Sequence, residues 1–109
     1  MGVDQELWVL EGPRTMREAE TVTYTITWNG ATTIATPTAV VYKNGSDVST
    51  AVMPSGSHSV SGITQTLKPI TIPAGYGGST IVVEIGCVVD GNTEKRGLQI
   101  KCLKPGVTL

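Results

Sequence analysis

Residues 80–103 read TIVVEIGCVVDGNTEKRGLQIKCL, and they contain both cysteines of the chain. Ile81, Val83, Ile85, Cys87 and Val89 alternate with Val82, Glu84, Gly86 and Val88, the period of a β-strand. The second face of this run is also partly apolar, as in a central strand or one covered by a neighbour. Asp90-Gly91-Asn92 supplies a tight reversal, and Glu94 to Leu103 carries Leu98, Ile100 and Cys102 on one side. A two-residue loop, at Asp90-Gly91 or Gly91-Asn92, sets odd positions of the first strand opposite even positions of the second. The apolar sets of both strands then share a face, whereas a three-residue loop turns Leu98 and Ile100 to the wrong side.

That register decides the cysteines. Cys87 falls opposite Glu94 or Arg96, with Cys102 several residues further along. At ~3.3 Å per residue the separation is roughly 20 Å or more, against a ceiling of ~7 Å for the Cα atoms of a disulfide. No bridge is expected. Each cysteine reads as a small buried apolar residue, which fits a chain folded in a reducing compartment. Two distant thiols also fall short of the four convergent ligands of a zinc site.

Upstream, TVTYTITW at 21–28 places Val22, Tyr24, Ile26 and Trp28 on one side and four threonines on the other, a half-buried strand with Trp28 in the core. The threonine face suits either solvent or a flat surface resting against another protein or a glycan. TPTAVVYKNGSDVSTAVM at 36–53 reads as two strands about an Asn44-Gly45 turn, with Pro37 expected at a strand beginning or edge. SVSGITQTLKPITIPAGYGGS at 59–79 reads as one or two strands interrupted at Lys68-Pro69 and closed by a glycine-rich loop. In that loop Tyr76 either packs at the sandwich edge or is exposed for contact. Thr15 to Glu20 has no apolar helical face and reads as a loop or a strand edge. Leu7 to Leu10 is a short apolar strand candidate before the Gly12-Pro13 break, able either to complete its own sheet or to dock on a neighbour.

These elements make about seven strands at regular turn spacing. The predicted class is all-β, an antiparallel two-sheet immunoglobulin-like sandwich, with a small barrel as the other arrangement. The chain of 109 residues holds one domain. Residues 1–20 are expected to form an N-terminal strand or arm, and residues 21–109 the sandwich.

Composition narrows the function. Charged residues are 16% of the chain and the formal net charge is −1. The eight Lys and Arg residues are scattered, not gathered on the single face that nucleic acid requires. No run approaches the ~18 apolar residues of a membrane-spanning helix, and the N-terminus lacks the basic start and apolar core of a secretory signal. The expectation is therefore a soluble chain complete from its own start.

No motif announces a reaction. His58, in PSGSH, has no second histidine or carboxylate near it in sequence, and reads as a turn residue. AGYGGS lacks the Lys-Ser or Lys-Thr of a phosphate-binding loop, and no nucleophile elbow is present. Asp47 and Asp90 lie in hairpin turns, where aspartate has a backbone role; calcium is the alternative there. The expectation is a non-enzyme with no catalytic, metal or cofactor residues and no cofactor.

TYTITW at 23–28, AVVYKNGSDVS at 39–49 and GYGGSTIVVEIGCVVDGNTEKRGLQIKC at 75–102 resemble small immunoglobulin-like proteins of tailed-phage virions. Bacterial surface immunoglobulin-like modules and fibronectin-type domains share much of this texture. The resemblance implies a virion accessory, a capsid decoration, neck or tail component, located in the virion after folding in the host cytoplasm. Its implied partners are virion structural proteins (capsid, portal or tail), without nucleic acid or membrane, and with room for a homo-oligomer in the assembly. Leu7, Trp8, Val9 and Leu10 are the candidate partner-binding residues. The alternative is a bacterial surface or carbohydrate-binding module, for which Trp8, Tyr42 or Tyr76 would share one exposed platform.

Overall fold

The computed structural model describes residues 14–106. Ten strand segments and one helical turn fall into two layers. The nucleus of the first layer is the hairpin of β9 (Thr80–Val89) and β10 (Asn92–Leu103). Asp90 and Gly91 have φ of 50° and 86°, so both central residues of the two-residue turn occupy the left-handed region that a type I′ turn demands. The ladder pairs Val83 with Leu98 and Ile81 with Ile100, as the shared apolar face requires, and Cys87 lies opposite Glu94. Both cysteines are free and buried.

β4 (Ile34–Lys43) adds to the far side of β9, and β5 (Ser46–Asp47) pairs with its end across Asn44-Gly45. β5 stops after two residues, where the sequence reading expected a longer strand. Asp47 Oδ1 accepts from Ser49 N at 2.9 Å and from Ser49 Oγ at 2.7 Å, while Ser49 Oγ accepts from Val41 N at 2.8 Å. A side-chain oxygen thus takes over a ladder position, and the chain turns into α1 (Ser49–Val52). The turn delivers Val52 and Met53 to the core, and their distance from Val48 is the spacing of a helix face, not of a strand. Pro37 lies inside β4 at the irregularity between Ala35 and Thr38. There the ladder to β9 is already broken, so the missing N–H removes no bond.

β1 (Arg14–Arg17) closes the other edge of this sheet, parallel to β10, and buries Met16 beside Cys102. The order of the first sheet is β1-β10-β9-β4-β5. From β1 the chain passes to the second layer within three residues. Glu18 N donates to Leu103 O at 3.0 Å and Ala19 N to Ile72 O at 2.7 Å, with Ala19 at φ 70°.

The second layer contains β2 (Thr21–Val22), β3 (Thr25–Thr27), β6 (Ser59–Ser61), β7 (Thr64–Thr66) and β8 (Ile70–Thr71). β2 pairs with β8, and β3 with β7, which also pairs with β6. The expected strand over 21–28 is therefore divided, and the 59–72 segment forms three short strands. From Val22 to Thr25 the chain advances three residues while its partner spans four, from Ile70 back to Thr66. The extra residue falls at Lys68-Pro69, where proline supplies no donor. Backbone bonds bridge the break, among them Leu67 N to Tyr24 O at 3.0 Å and Ile72 N to Glu20 O at 3.2 Å. Joining these collinear pieces leaves eight strands from the ten segments.

The core lies between the layers. Ile26, Trp28, Leu67, Ile70 and Ile72 meet Val41, Ile81, Val83, Ile85, Leu98 and Ile100. At its centre Gln65 is fully buried. Its Oε1 accepts from Trp28 Nε1 at 2.9 Å, and its Nε2 donates to Gly86 O at 3.0 Å and toward Thr38 O at 3.4 Å. One amide therefore ties β7 to β9 and to the irregular stretch of β4. The chain is an all-β, immunoglobulin-like sandwich, and among the described residues its pairs are antiparallel except for β1–β10.

Candidate interaction surface

Strand alternation fixes which residues leave the core side of the five-stranded sheet. On β9 the outward residues are Thr80, Val82, Glu84 and Val88; on β10 they are Lys95, Gly97, Gln99 and Lys101; on β4 they are Thr38, Val40 and Tyr42. The register sets Gln99, Val82, Tyr42 and Asp47 in one row across four strands, and Gly97, Glu84 and Val40 in the next.

Beside Glu84, the middle of this face carries three apolar side chains. Val82 is 39% exposed, and the half-buried Val40 and Tyr42 flank it on the neighbouring strand. Gly97 leaves the β10 side flat; a Cβ there would meet only Val82 Cγ1, at 3.8 Å. Charge is divided across the rim, with Lys95 and Lys101 on β10 and Asp47 on β5. Glu84 lies between them, 3.6 Å from Lys95 Nζ. Val82, Val40 and Tyr42 thus form a small apolar patch that adjoins the Glu84–Lys95 pair on the two central strands. The sequence signal for it was the partly apolar second face of 80–89.

The polar residues considered for chemistry serve the backbone. Asp90 Oδ1 accepts from Thr32 N at 2.9 Å and Thr33 N at 2.8 Å, and Asp47 holds Ser49. The Ser49 hydrogen bonds keep the Asp47 carboxyl below the usual carboxylate range. His58 Nδ1 accepts from Lys68 N at 3.1 Å; burial, then the nearby Lys68 charge, pushes its pKa down. Burial pushes both cysteine thiols up, and Cys87 Sγ donates to Ala35 O at 3.2 Å. Among the described residues no group of His, Cys, Asp and Glu is placed to hold a metal ion. No helix among them is long and apolar enough to cross a membrane.

Tyr76 packs against the core with Lys43 Nζ 5.2 Å from its ring centre, whereas Tyr42 points outward. The two tyrosines do not share one platform. The threonines at 21, 23, 25 and 27 are exposed. Leu7, Trp8, Val9 and Leu10 lie outside the described residues.

No protein-family model and no curated protein matches the chain. Among solved structures it is similar to the complex of titin M10 with the obscurin-like 1 immunoglobulin domain. There the identity is 13%, over 87% of this chain and 89% of that one, with a TM-score of 0.47. It is also similar to the N-terminal Ig1-2 module of the Drosophila receptor protein tyrosine phosphatase DLAR, with 15% identity and a TM-score of 0.47. That match covers 89% of this chain and 47% of the other.

Proposed function

We propose that the protein is a non-enzymatic binding domain that attaches to virion structural proteins as an accessory of a phage particle. It folds in the host cytoplasm and works by adhesion. The observation that carries this reading is the division of labour among its polar groups. Asp47 holds Ser49, Asp90 holds the Thr32 and Thr33 amides, His58 accepts from a backbone amide and Gln65 serves the core, while Val82, Val40 and Tyr42 on the outer face have no such duty. A rigid sandwich of this kind supports contacts that are weak singly and add up over repeated copies of a partner. In this proposal Leu7 to Leu10 form the contacting arm, attached where the chain reaches the sheet edge at Arg14.

Co-sedimentation of the purified protein with assembled particles tests the reading. Deletion of residues 1–10 is expected to abolish incorporation while the remaining chain keeps its cooperative unfolding. Failure to bind any particle, together with binding on a glycan array, would transfer the function to a surface or carbohydrate-binding module.

A further inference from the structure

We infer that Leu7 to Leu10 seat as a strand on the open edge of β3 in the same chain. This deepens the proposed function by giving the contacting arm a fixed place, and it rests on that reading only for what the arm then meets. β3 stands at the edge of its sheet, paired among the described residues with β7 alone. Tyr24 O accepts from Leu67 N at 3.0 Å and Trp28 N donates to Ile63 O at 2.9 Å. Backbone groups alternate sides along a strand, so Thr25 and Thr27 direct theirs to the other edge. Among the described residues that edge meets one backbone donor, Asn29 N, 3.1 Å from Thr27 O. A row of this kind is a template for one more strand.

Chain direction and reach select the occupant. The chain reverses between β1 and β2, with Glu20 N donating to Arg17 O at 3.1 Å. Followed backward from Arg14, it therefore heads the way β3 heads. The Arg14 guanidinium lies 6.0 Å from the centre of the Tyr24 ring, at the entry to β3. The steps from Leu10 to Arg14 extend about 13 Å, enough for the ~10 Å between packed layers, and the chain makes the same crossing through residues 18–20. Gly12 and Pro13, a pair that interrupts a strand, lie in that crossing. Leu10 then falls beside Thr25 and Leu7 beside Trp28, antiparallel to β3.

Charge fits the same occupant, and polarity picks the edge. Residues 1–13 carry Asp4, Glu6 and Glu11 and no Lys or Arg. The flank they would cover holds Arg14 over Tyr24 and Arg96 over Trp28, the latter 5.5 Å from the ring centre and 2.9 Å from Glu94. The other seat is the edge of β10 ahead of its pairing with β1. Arg14 is level with Ile100 in that parallel register, so continuing it would set Trp8 beside Glu94 and Leu10 beside Arg96. On β3, alternation turns two of the four apolar side chains toward Ile26 and Trp28 at the core and leaves the other two outside for a partner.

Amide hydrogen exchange of the full chain, resolved by residue, tests the seat. The Thr25 and Thr27 amides should exchange about tenfold or more slower than in a chain lacking residues 1–10, which should still unfold cooperatively at a lower urea midpoint. Ile26 and Trp28, bonded to β7, should stay protected in both. Fast exchange at Thr25 and Thr27 in the full chain overturns the inference whether or not the shortened chain folds. So does a loss of protection that falls on Lys95 and Gly97 instead. Leu103 O accepts from Glu18 N, so the odd residues of β10 face its open edge, and that loss would place the segment there. Sedimentation velocity should show a monomer; protection found only in a dimer would mean that the arm crosses to a second copy, and overturns the same-chain seat. Incorporation into particles with Thr25 and Thr27 unprotected would defeat the seat alone, and a protected chain that binds no particle would defeat the virion reading alone.

Discussion

Replacing Gln65 by leucine separates the amide's hydrogen bonds from its volume. The change leaves the Trp28 indole N–H and the Gly86 carbonyl buried without their partner, two bonds now at 2.9 and 3.0 Å. Each stranded group costs about 1–3 kcal/mol, and the longer approach to Thr38 O adds little. Leucine recovers part of this through its own burial, for a net loss of about 3 kcal/mol. That is a large share of the ~5–15 kcal/mol that holds a typical domain together, and it corresponds to a midpoint lowered by about 10–20 °C. Urea unfolding followed by far-ultraviolet circular dichroism measures it without relying on tryptophan emission. Trp28→Phe removes the donor, so Gln65→Leu should cost about 1–2 kcal/mol less in that background. A Gln65→Leu variant within about 0.5 kcal/mol of the parent, or strict additivity of the two changes, would refute the role of this amide in joining the layers.

Gly86→Ala should destabilise by about 1–3 kcal/mol, because its Cβ would collide with Thr38 Oγ1, whereas Gly97→Ala should change stability by less than about 0.5 kcal/mol; chemical denaturation of the pair checks the contrast. Both thiols should resist a disulfide-exchange reagent until the chain unfolds, since burial holds Cys87 and Cys102 protonated. Intact mass under non-reducing conditions should show two free thiols, and a loss of two hydrogens would contradict the β9–β10 register. His58 has a folded-state pKa below its unfolded value, so the unfolded chain binds the proton more readily. Its contribution is present above the unfolded value of ~6.5 and is lost as pH falls toward the lower folded one. A stability profile across mildly acidic pH should slope upward there, and His58→Gln should flatten it.

Much of the architecture was legible because local chemistry and global packing agree along the two best-patterned runs. The Asp90-Gly91 and Asn44-Gly45 turns could be read from residues that tolerate positive φ, and the β9–β10 register from two apolar sets that must share a face. Trp28 in the core followed from the same alternation. β1 was harder to recognise. Only Met16 among its four residues is fully buried, and parallel pairing to a strand some eighty residues later leaves no local trace. The short β5 and α1 were missed because a strand pattern over 46–53 competes with the helical spacing of Val48, Val52 and Met53, and Ser49 decides between them by bonding Val41.

Sequence alone determined the strand period, the turns and the separation of the cysteines, since each depends on residues close together or on a single hairpin. Only the tertiary structure decided that Gln65 lies in the core, that β1 closes the sheet edge, and that Tyr42, Val82 and Gly97 share one open face. Those facts join β4, β7, β9 and β10 across gaps in the chain, and no periodicity within one segment can specify which neighbour another segment will meet.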